Sequence, residues 1–423
     1  MGQYDRKRQS QPKHGKPSDS GASKAAPPPP RSMPGWKGPS YIHRKKKNAN
    51  PSAPAASEPV KLEHVLPLEL EQLMLEVFRN TFPASSDFEA LKPTLQSIND
   101  ALLRRDFDAA FATDEHLEAY AIRWSPSRAL CYAQLLAWIC AENADDACIR
   151  RLTSSADAQT AAKVICFGGG AAELMAFPSL SRYLLPSKAA GKPASPAAEI
   201  SDSLEAMSMS AHSSPRPLLH LNLLDTADLT SVLSKLDKGL QTPPTLSKYA
   251  SATARARNAS FLVPGTIEHA FTRKDLLDCS TEDLRASIGP DPALLTLMFT
   301  LNELYMASMP RTTTLLRRLT EAAPTGSLLL VVDAPGAYSE IALSNAKEGE
   351  DTRKYLMSQL LDYALVPKLT QRSGKEDSDE EKPERAWEKV IGESNMSYKL
   401  EEDLQYPISL ENMKFQVHLF RRL

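Results

Sequence analysis

The chain has 423 residues, 42% of them apolar, which is enough to build one large or two medium-sized folded domains. Its five cysteines form no Cys-x-x-Cys pair and no Cys/His cluster with metal-ligand spacing, so no metal site is predicted and free thiols in a reducing compartment are favoured. The longest apolar runs are far too short for a membrane span, and the polar, basic N-terminus does not resemble a signal peptide. We therefore expect a soluble intracellular protein.

Residues 1–58 are predicted to form a disordered basic tail, because they are rich in Pro, Ser, Ala and Lys and poor in core-forming side chains. The first 50 residues contain 12 Lys or Arg and 2 Asp or Glu, whereas the other 373 contain 38 and 50. Basic clusters at 6–8 and 43–47 favour a nuclear or nucleolar address. Weak phosphate binding and solvated filler are the alternative interpretations.

Residues 59–155 are predicted to form an α-helical N-terminal region. Two amphipathic helices are indicated by apolar side chains at helical spacing, at Leu70, Leu73, Met74 and Val77 and at Leu91, Leu95, Ile98 and Leu102. A further helix is expected to begin at Ser125-Pro126, since serine is a good N-cap and proline fits the first helical position.

Residues 156–423 alternate between short apolar runs and helical segments. Strands are predicted at 164–167, 218–225, 260–263, 271–275, 293–301, 327–333 and 413–420, and helices at 171–185, 228–240, 312–323 and 354–366. This alternation predicts an α/β fold: a Rossmann-like, doubly wound, mainly parallel seven-stranded sheet with an antiparallel C-terminal strand. Two segments of biased composition, about 186–217 and 374–385, are predicted to be insertions.

The first predicted strand ends at three glycines, Gly168, Gly169 and Gly170, followed at once by a helix-forming segment. Glycines at such a place let the backbone approach a ligand, and the free N–H groups of a helix start favour a polar one. The alternative is an ordinary strand–helix connection with glycines chosen for turn geometry. Because ligands of doubly wound sheets bind at the carboxyl ends of the strands, other polar groups at that edge favour the ligand interpretation.

Asp225, Asp275, Asn302 and Glu303 are predicted to lie at successive strand ends of that edge. Asp225 is suited to accept hydrogen bonds from the ribose hydroxyls of a nucleoside cofactor, with a helix cap as the alternative. Asp275 is suited to the exocyclic amine of an adenine, again with a cap as the alternative.

Glu173, at the start of the helix, narrows the class of cofactor. Its carboxylate would repel a pyrophosphate, the glycine spacing is not Gly-x-Gly-x-x-Gly, and no Gly-Lys-Ser/Thr motif is present. A cofactor that carries a cation and an amino-acid group is compatible with Glu173. S-adenosylmethionine is such a cofactor.

Five stretches resemble the fungal 25S ribosomal RNA uridine-N3 methyltransferases, within the class I S-adenosylmethionine-dependent methyltransferases. They are residues 123–132 (RWSPSRALCY), 164–173 (VICFGGGAAE), 299–305 (FTLNELY), 329–339 (LLVVDAPGAYS) and 406–420 (YPISLENMKFQVHLF). The resemblance covers roughly residues 60–423. Cys166 and Ala172 depart from the wider class I pattern, which has an acidic residue and a third glycine at these places.

The resemblance implies methyl transfer to N3 of a uridine in large-subunit ribosomal RNA, on the RNA or on a pre-ribosomal particle in the nucleolus. Uracil N3 carries a proton near neutral pH, so Glu303 is a candidate base and Asn302 a candidate for binding the base edge or the cofactor. A helix cap or an ion pair is the alternative for Glu303. Arg123 and Arg128 are candidates to contact RNA phosphate or line the cofactor mouth. A methyltransferase for protein or another RNA, and an assembly module without turnover, are the alternative functions.

Overall fold

The structure is a computed structural model that describes residues 58–153, 161–184, 217–246, 248–256, 258–336, 338–341, 353–366 and 385–423. The predicted tail (1–58) and the predicted insertions (186–217 and 374–385) lie outside these ranges, apart from the last residue of each. No helix in the described part of the chain is long and apolar enough to cross a membrane.

The segment before the first long strand is helical, as predicted. Its helices are α1 (Leu68–Thr81), α2 (Phe88–Leu103), α3 (Phe107–Ala110), α4 (Asp114–Glu142) and α5 (Ala147–Thr153). Side chains of Asp87, Asp106 and Thr113 accept backbone hydrogen bonds at the starts of α2, α3 and α4, which satisfies donors that a helix start leaves free. The predicted apolar faces of α1 and α2 pack into the core.

The third predicted helix begins twelve residues earlier than expected, with Thr113 rather than Ser125 as its N-cap, so Pro126 lies inside α4 rather than at its start. Proline has no N–H, so the carbonyl of Ile122, four residues earlier, cannot receive its helical hydrogen bond. The hydroxyl of Tyr406 donates to this carbonyl instead, at 3.1 Å. A tertiary contact therefore lets a helix of 29 residues continue through proline.

Eight strands form the main sheet in the described part of the chain. They are β1 (Val60–Lys61), β2 (Ala162–Phe167), β3 (Leu219–Asp225), β4 (Ile267–Arg273), β5 (Leu294–Met298), β6 (Leu328–Asp333), β9 (Trp387–Tyr398) and β10 (Met413–Arg422). The remaining two, β7 (Tyr338–Ile341) and β8 (Arg353–Leu356), form a separate antiparallel pair.

The strand order is β1-β9-β10-β6-β5-β2-β3-β4. Pairing is parallel from β6 through β4 and between β1 and β9, whereas β10 is antiparallel to both β6 and β9. The doubly wound, mainly parallel sheet with an antiparallel C-terminal strand is thus confirmed. The predicted count of seven is short by one, because the segment 260–263 is not a strand whereas β1 and β9 are strands that were not predicted. The two residues of β1 are too few to show a periodic pattern.

Seven further helices are described: α6 (Ala171–Leu184), α7 (Thr230–Gln241), α8 (Ala252–Ala256), α9 (Thr281–Ile288), α10 (Leu301–Ala307), α11 (Met309–Ala322) and α12 (Met357–Leu365). Successive side chains of a strand point to opposite faces of the sheet, so they pack in different apolar clusters. In β2, Val164 and Cys166 pack with α1, α2, α4 and α6, while Ile165 and Phe167 pack with α9, α10 and α11. Helices therefore cover both faces.

The chain order reverses between β2 and β5. From β2 the chain moves outward to β3 and β4, and then returns to β5 and β6 on the other side of β2. Such a reversal leaves a crevice at the carboxyl ends of the two central strands, where doubly wound sheets bind ligands. The predicted boundary at 155/156 does not divide the apolar core, since the N-terminal helices and one sheet face share a cluster.

Candidate functional site

The turn after β2 lies at this crevice and touches the end of β5. Gly168 has φ +73°, and its N–H donates to the carbonyl of Leu224 in β3 at 2.7 Å. A Cβ at this residue would lie 2.2 Å from Oγ1 of Thr300. Left-handed backbone and the close Thr300 side chain both require glycine here.

The other two glycines differ from each other in their surroundings. A Cβ on Gly169 would lie 2.4 Å from Cβ of Cys166, so packing explains this glycine. Gly170 has more room, with Cδ1 of Leu229 at 3.3 Å, and its N–H donates to Oε2 of Glu173 at 2.7 Å. Turn geometry and packing thus explain why Gly168 and Gly169 are glycines, and the N–H of Gly170 orients the Glu173 carboxylate.

Glu173 lies buried in the first turn of α6. Burial raises the pKa of its carboxyl to about 7, against the lowering effects of its backbone hydrogen bonds and of Arg128, and the nearby Asp225 adds to the rise. Because the carboxylate already accepts a hydrogen bond from the Gly170 N–H, this helix start disfavours a phosphate and favours a cation.

Asp225 is the last residue of β3, next to β2. Its Oδ1 accepts the N–H of Ala227 at 2.8 Å, and burial raises the pKa of the carboxyl to about 6. The carboxylate caps the turn before α7, whose own N-cap position is Leu229. Glu173, which is buried, and Asp225, which is half-buried, therefore lie at neighbouring strand ends, and the ribose and cation assignments stay predictions.

Asp275 lies two residues beyond β4. Its Oδ1 accepts the N–H of Leu277 at 2.8 Å, which caps the 3₁₀ turn Leu276–Asp278. The N–H of Lys274 donates to the carbonyl of Asp225 at 2.8 Å, so this turn adjoins the end of β3. The capping interaction is observed, and contact with an adenine stays a prediction.

Asn302 and Glu303 do not end a strand as expected, because β5 stops at Met298. Phe299 turns the chain with φ +58°, and α10 begins at Leu301. The backbone N–H of Asn302 donates to Oδ2 of Asp333 at 2.8 Å. The carboxylate of Glu303 pairs with Nη1 of Arg105 at 3.0 Å.

Asp333 was not among the predicted site residues, although it is the last residue of β6 and the aspartate of the 329–339 stretch. It is buried, and burial raises the pKa of its carboxyl to about 7, with a further rise from Glu303. Its Oδ1 accepts the N–H of Ala334 at 2.8 Å. Its position at a strand end, like that of Asp225, is the sequence signal that could have found it.

Two buried side chains of β10 support the loop that follows Asp333: Gln416 contacts it directly, and His418 contacts Gln416. Nε2 of Gln416 donates to the carbonyl of Ala334 at 2.8 Å, and Oε1 of Gln416 lies 3.0 Å from Nε2 of His418. Since that amide oxygen accepts, Nε2 of the imidazole carries the proton. Burial lowers the pKa of His418 to about 4, so the ring is neutral.

The two predicted RNA-binding arginines have different surroundings. Arg123 pairs with Glu411, and its Nη1 donates to the carbonyl of Ser409 at 3.2 Å. Arg128 hydrogen-bonds the hydroxyl of Tyr120 and contributes positive charge near Glu173. Lining of the cofactor mouth by Arg128 and phosphate contact by either arginine stay predictions.

The site has two halves on either side of the chain reversal. The ends of β2 and β3 carry the glycine turn and the carboxyls of Glu173 and Asp225. Asp333 at the end of β6 and Asn302 and Glu303 at the start of α10, which follows β5, form the other half. Buried carboxyls with raised pKa values suit a ligand that brings a positive charge and hydroxyl donors. In the described residues, no group of three or more His, Cys, Asp or Glu is arranged to hold a metal ion. This fold and this site are compatible with an S-adenosylmethionine-dependent methyltransferase.

Comparison with known proteins gives the same class. The Methyltransf_34 family, described as SAM-dependent methyltransferases, matches residues 78–421. The 25S rRNA (uridine(2843)-N(3))-methyltransferase of Saccharomyces cerevisiae is 30% identical over 382 residues, which cover 88% of this chain and 90% of the yeast protein. The chain belongs to this family of S-adenosylmethionine-dependent methyltransferases, and S-adenosylmethionine is its cofactor.

Solved methyltransferase structures match at low identity. A SAM-dependent methyltransferase from Methanosarcina mazei is 8% identical with a TM-score of 0.28, covering 63% of this chain and 94% of that one. Another, from Clostridium acetobutylicum, is 7% identical with a TM-score of 0.28, covering 66% of this chain and 89% of that one.

Proposed function

We propose that this methyltransferase modifies N3 of a uridine in large-subunit ribosomal RNA. The observation that carries the proposal is the 30% identity with the yeast uridine-N3 enzyme over most of both chains. Large-subunit RNA, free or in a pre-ribosomal particle, is then the partner, and the nucleolus is the place of action. The basic clusters of the first 50 residues support both assignments.

The residues of the β5–β6 half support a reaction that begins with loss of a proton. S-adenosylmethionine supplies a methyl group that is already electrophilic, so the protein mainly has to align it and prepare the acceptor. Glu303 would take the N3 proton, and N3 could then accept the methyl group that bound S-adenosylmethionine would supply, with the methyl–sulfur bonding electrons remaining on its sulfur. Asn302 holds the base edge. Because N3 lies on the Watson–Crick edge, the uridine must be unpaired or flipped out.

The residues of the β2–β3 half support cofactor binding. Asp225 accepts hydrogen bonds from the ribose hydroxyls, and the Glu173 carboxylate balances the cofactor's positive charge. The backbone N–H groups of Gly170 and Glu173, and after them Arg128, counteract the rise that burial causes in the pKa of this carboxyl. Gly168 brings the ends of β2 and β5 together, so the methyl donor and the acceptor base meet at the chain reversal.

The product identifies the reaction. The purified protein is incubated with S-adenosylmethionine and unmodified large-subunit RNA, and the RNA is digested to nucleosides that are identified by mass and retention. We expect 3-methyluridine, and a large loss of it with Glu303→Gln. Methylation of protein, or of another nucleoside, would replace the proposal by one of the alternative substrates. No methylated product from a folded protein that binds the cofactor would indicate an assembly module.

The proposed role of the β2–β3 half in cofactor binding is tested separately. Asp225→Ala should weaken S-adenosylmethionine binding, measured by calorimetry, much more than RNA binding. Asp228→Ala is the matched control, since Asp228 is an exposed carboxylate three residues later that interacts with Thr230. Equal loss of cofactor and RNA binding in Asp225→Ala would indicate misfolding, whereas unchanged cofactor binding in the folded variant would contradict the ribose assignment.

A further inference from the structure

The turn that ends α2 has an arginine where glycine is normally found. The N–H of Arg105 donates to the carbonyl of Leu102, and the N–H of Asp106 donates to the carbonyl of Ala101. These two bonds make up the Schellman motif, whose residue after the C-cap adopts the left-handed conformation and is usually glycine. Arg105 occupies that position with φ +58°. The turn would be more favourable with glycine, so the arginine side chain must have another use.

The side chain of Arg105 reaches across to the methyltransferase sheet. Its Nη1 lies 3.0 Å from Oε2 of Glu303, which is 198 residues away in the sequence. Both side chains are largely sheltered, with 32% and 26% of their surfaces exposed. A sheltered pair of this kind interacts more strongly than an exposed surface pair. Arg104, at the preceding position, is exposed and has an ordinary right-handed φ of −84°.

The ion pair of Arg105 and Glu303 lies in the β5–β6 half of the site. Glu303 follows Asn302, whose N–H is held by Asp333, so the start of α10 is fixed to the end of β6. Among described side chains, the charged groups that act on Glu303 include Arg105 and Asp333, and the side chain of Asn302 hydrogen-bonds to it. Burial raises the pKa of Glu303, and Arg105 counteracts that rise. Without the guanidinium, Glu303 would lose its ion-pair partner and would still have the carboxyl of Asp333 nearby.

We propose that Arg105 is a positioning residue for methyl transfer, which holds the Glu303 carboxylate in place and keeps a positive charge beside it. The strained turn is maintained because a glycine there could not make this contact. The helical N-terminal region thereby contributes a residue to the chemistry of the sheet edge. The inference rests on the proposed role of Glu303 as the base that takes the uridine N3 proton.

Arg105→Gly separates the side chain from the turn, because glycine fits the left-handed position. We expect a thermal midpoint equal to or above that of the unaltered protein, with kcat at pH 7 lowered about tenfold or more. The KM for RNA and the Kd for S-adenosylmethionine should change less than about twofold. The acidic limb of the kcat profile should move to higher pH, since Glu303 then binds its proton more tightly.

Two variants serve as controls. Arg105→Lys retains a positive charge near Glu303 and should recover part of kcat and of the pH profile. Arg104→Ala removes the exposed neighbouring charge and should leave kcat and the profile unchanged. An unchanged kcat and profile in Arg105→Gly would make Arg105 a purely structural residue. A raised KM for RNA with unchanged kcat would make it an RNA contact. Either result would overturn the inference.

Unfolding in urea tests the pair without relying on the reaction. A double-mutant cycle of Arg105→Gly and Glu303→Gln should give non-additive changes in the free energy of unfolding, because the two side chains interact directly. Additive changes would mean that the pair does not form in solution, which overturns the inference. A protein with a coupled pair that makes no 3-methyluridine would instead refute the proposed substrate.

Discussion

At the scale of single residues, Gly168 determines how closely the two halves of the site approach. Its positive φ and its contact with Thr300 are independent reasons for glycine. We expect Gly168→Ala to lower the free energy of unfolding by about 2–4 kcal/mol, since it combines left-handed strain with overpacking. Urea unfolding measures this loss. S-adenosylmethionine binding should weaken at the same time, because the ends of β2 and β5 are pushed apart.

Gly170→Ala is the control for that substitution. Gly170 is not in the left-handed region, and the nearest atom to an added Cβ, Cδ1 of Leu229, is 3.3 Å away at the end of a flexible side chain. We expect a change of no more than about 1 kcal/mol. Adding Thr300→Ala to Gly168→Ala should restore part of the lost stability. Equal losses at the two glycines would contradict a specific contact with Thr300.

Cofactor binding should depend on pH through Glu173 and Asp225. Burial raises their pKa values to about 7 and about 6, so both are partly protonated in the free protein as the pH falls below neutrality. The positively charged cofactor favours the ionised forms. Its affinity should therefore rise with pH and level off above pH 7, with about a tenfold loss between pH 8 and pH 6 from Glu173 alone.

Calorimetry at a series of pH values measures this dependence. Glu173→Gln should bind more weakly at pH 8 and show a smaller change between pH 8 and pH 6, because the group with the higher pKa is gone. Binding should then vary mainly around pH 6, where Asp225 titrates. An affinity that is constant from pH 8 to pH 6 in the unaltered protein would refute the assignment of Glu173 to the cofactor's charge.

At the scale of secondary-structure elements, the sequence predicted the central strands well and the outer ones poorly. Strands buried on both faces are continuous apolar runs, and β5 and β6 have every residue buried. The strand β9 was not predicted, because it alternates irregularly between half-buried and exposed positions and includes Glu388, Lys389 and Glu393. Its pairing with β10 and β1 is a tertiary property that local periodicity does not contain.

The same distinction applies to the site. Gly168 and Asp225 follow clear apolar strands, so their place at the sheet edge could be predicted. Asn302 was expected at a strand end and lies in α10, since Phe299 takes a left-handed conformation that its sequence does not favour. The ion pair between Arg105 and Glu303 depends on the packing of two distant segments, so no local pattern indicates it.

The helix α4 yields a prediction about how elements support each other. Tyr406 supplies the hydrogen bond that Pro126 denies to the carbonyl of Ile122. We expect Tyr406→Phe to lower the free energy of unfolding by about 1–2 kcal/mol, because it leaves a buried carbonyl without a partner. In a Pro126→Ala background the loss should be smaller, since the alanine N–H can donate to Ile122. Urea unfolding of the four proteins measures the difference.

A matched control uses a hydroxyl that does not replace a helical hydrogen bond lost to proline. Thr325, whose hydroxyl donates to the carbonyl of Leu423 at an exposed position, can be replaced by valine with an expected change within about 0.5 kcal/mol. If Tyr406→Phe costs the same with Pro126 as with alanine, the hydroxyl does not compensate for the proline. The contact of the 406–411 loop with α4 would then rest on Arg123 and Ser127.

At the scale of the whole molecule, the helices before residue 155 are part of the fold of the sheet. Buried side chains of α1, α2 and α4 share one apolar cluster with β2, β3 and β10. Gln134 of α4 also donates to Glu71 and accepts the N–H groups of Val65 and Leu66, which ties the segment after β1 to the core. Separating the predicted domains would expose this surface to water.

Two shortened chains test this arrangement and the charge distribution together. A chain of residues 156–423 should lack cooperative unfolding and near-ultraviolet circular dichroism, because one sheet face loses its cover. A chain of residues 58–423 should unfold cooperatively, bind S-adenosylmethionine normally and bind RNA more weakly. The slope of its RNA affinity against salt concentration should be smaller, since the removed segment holds most of the excess positive charge. An unchanged salt slope would place the phosphate contacts in the acidic body, on residues such as Arg123 and Arg128.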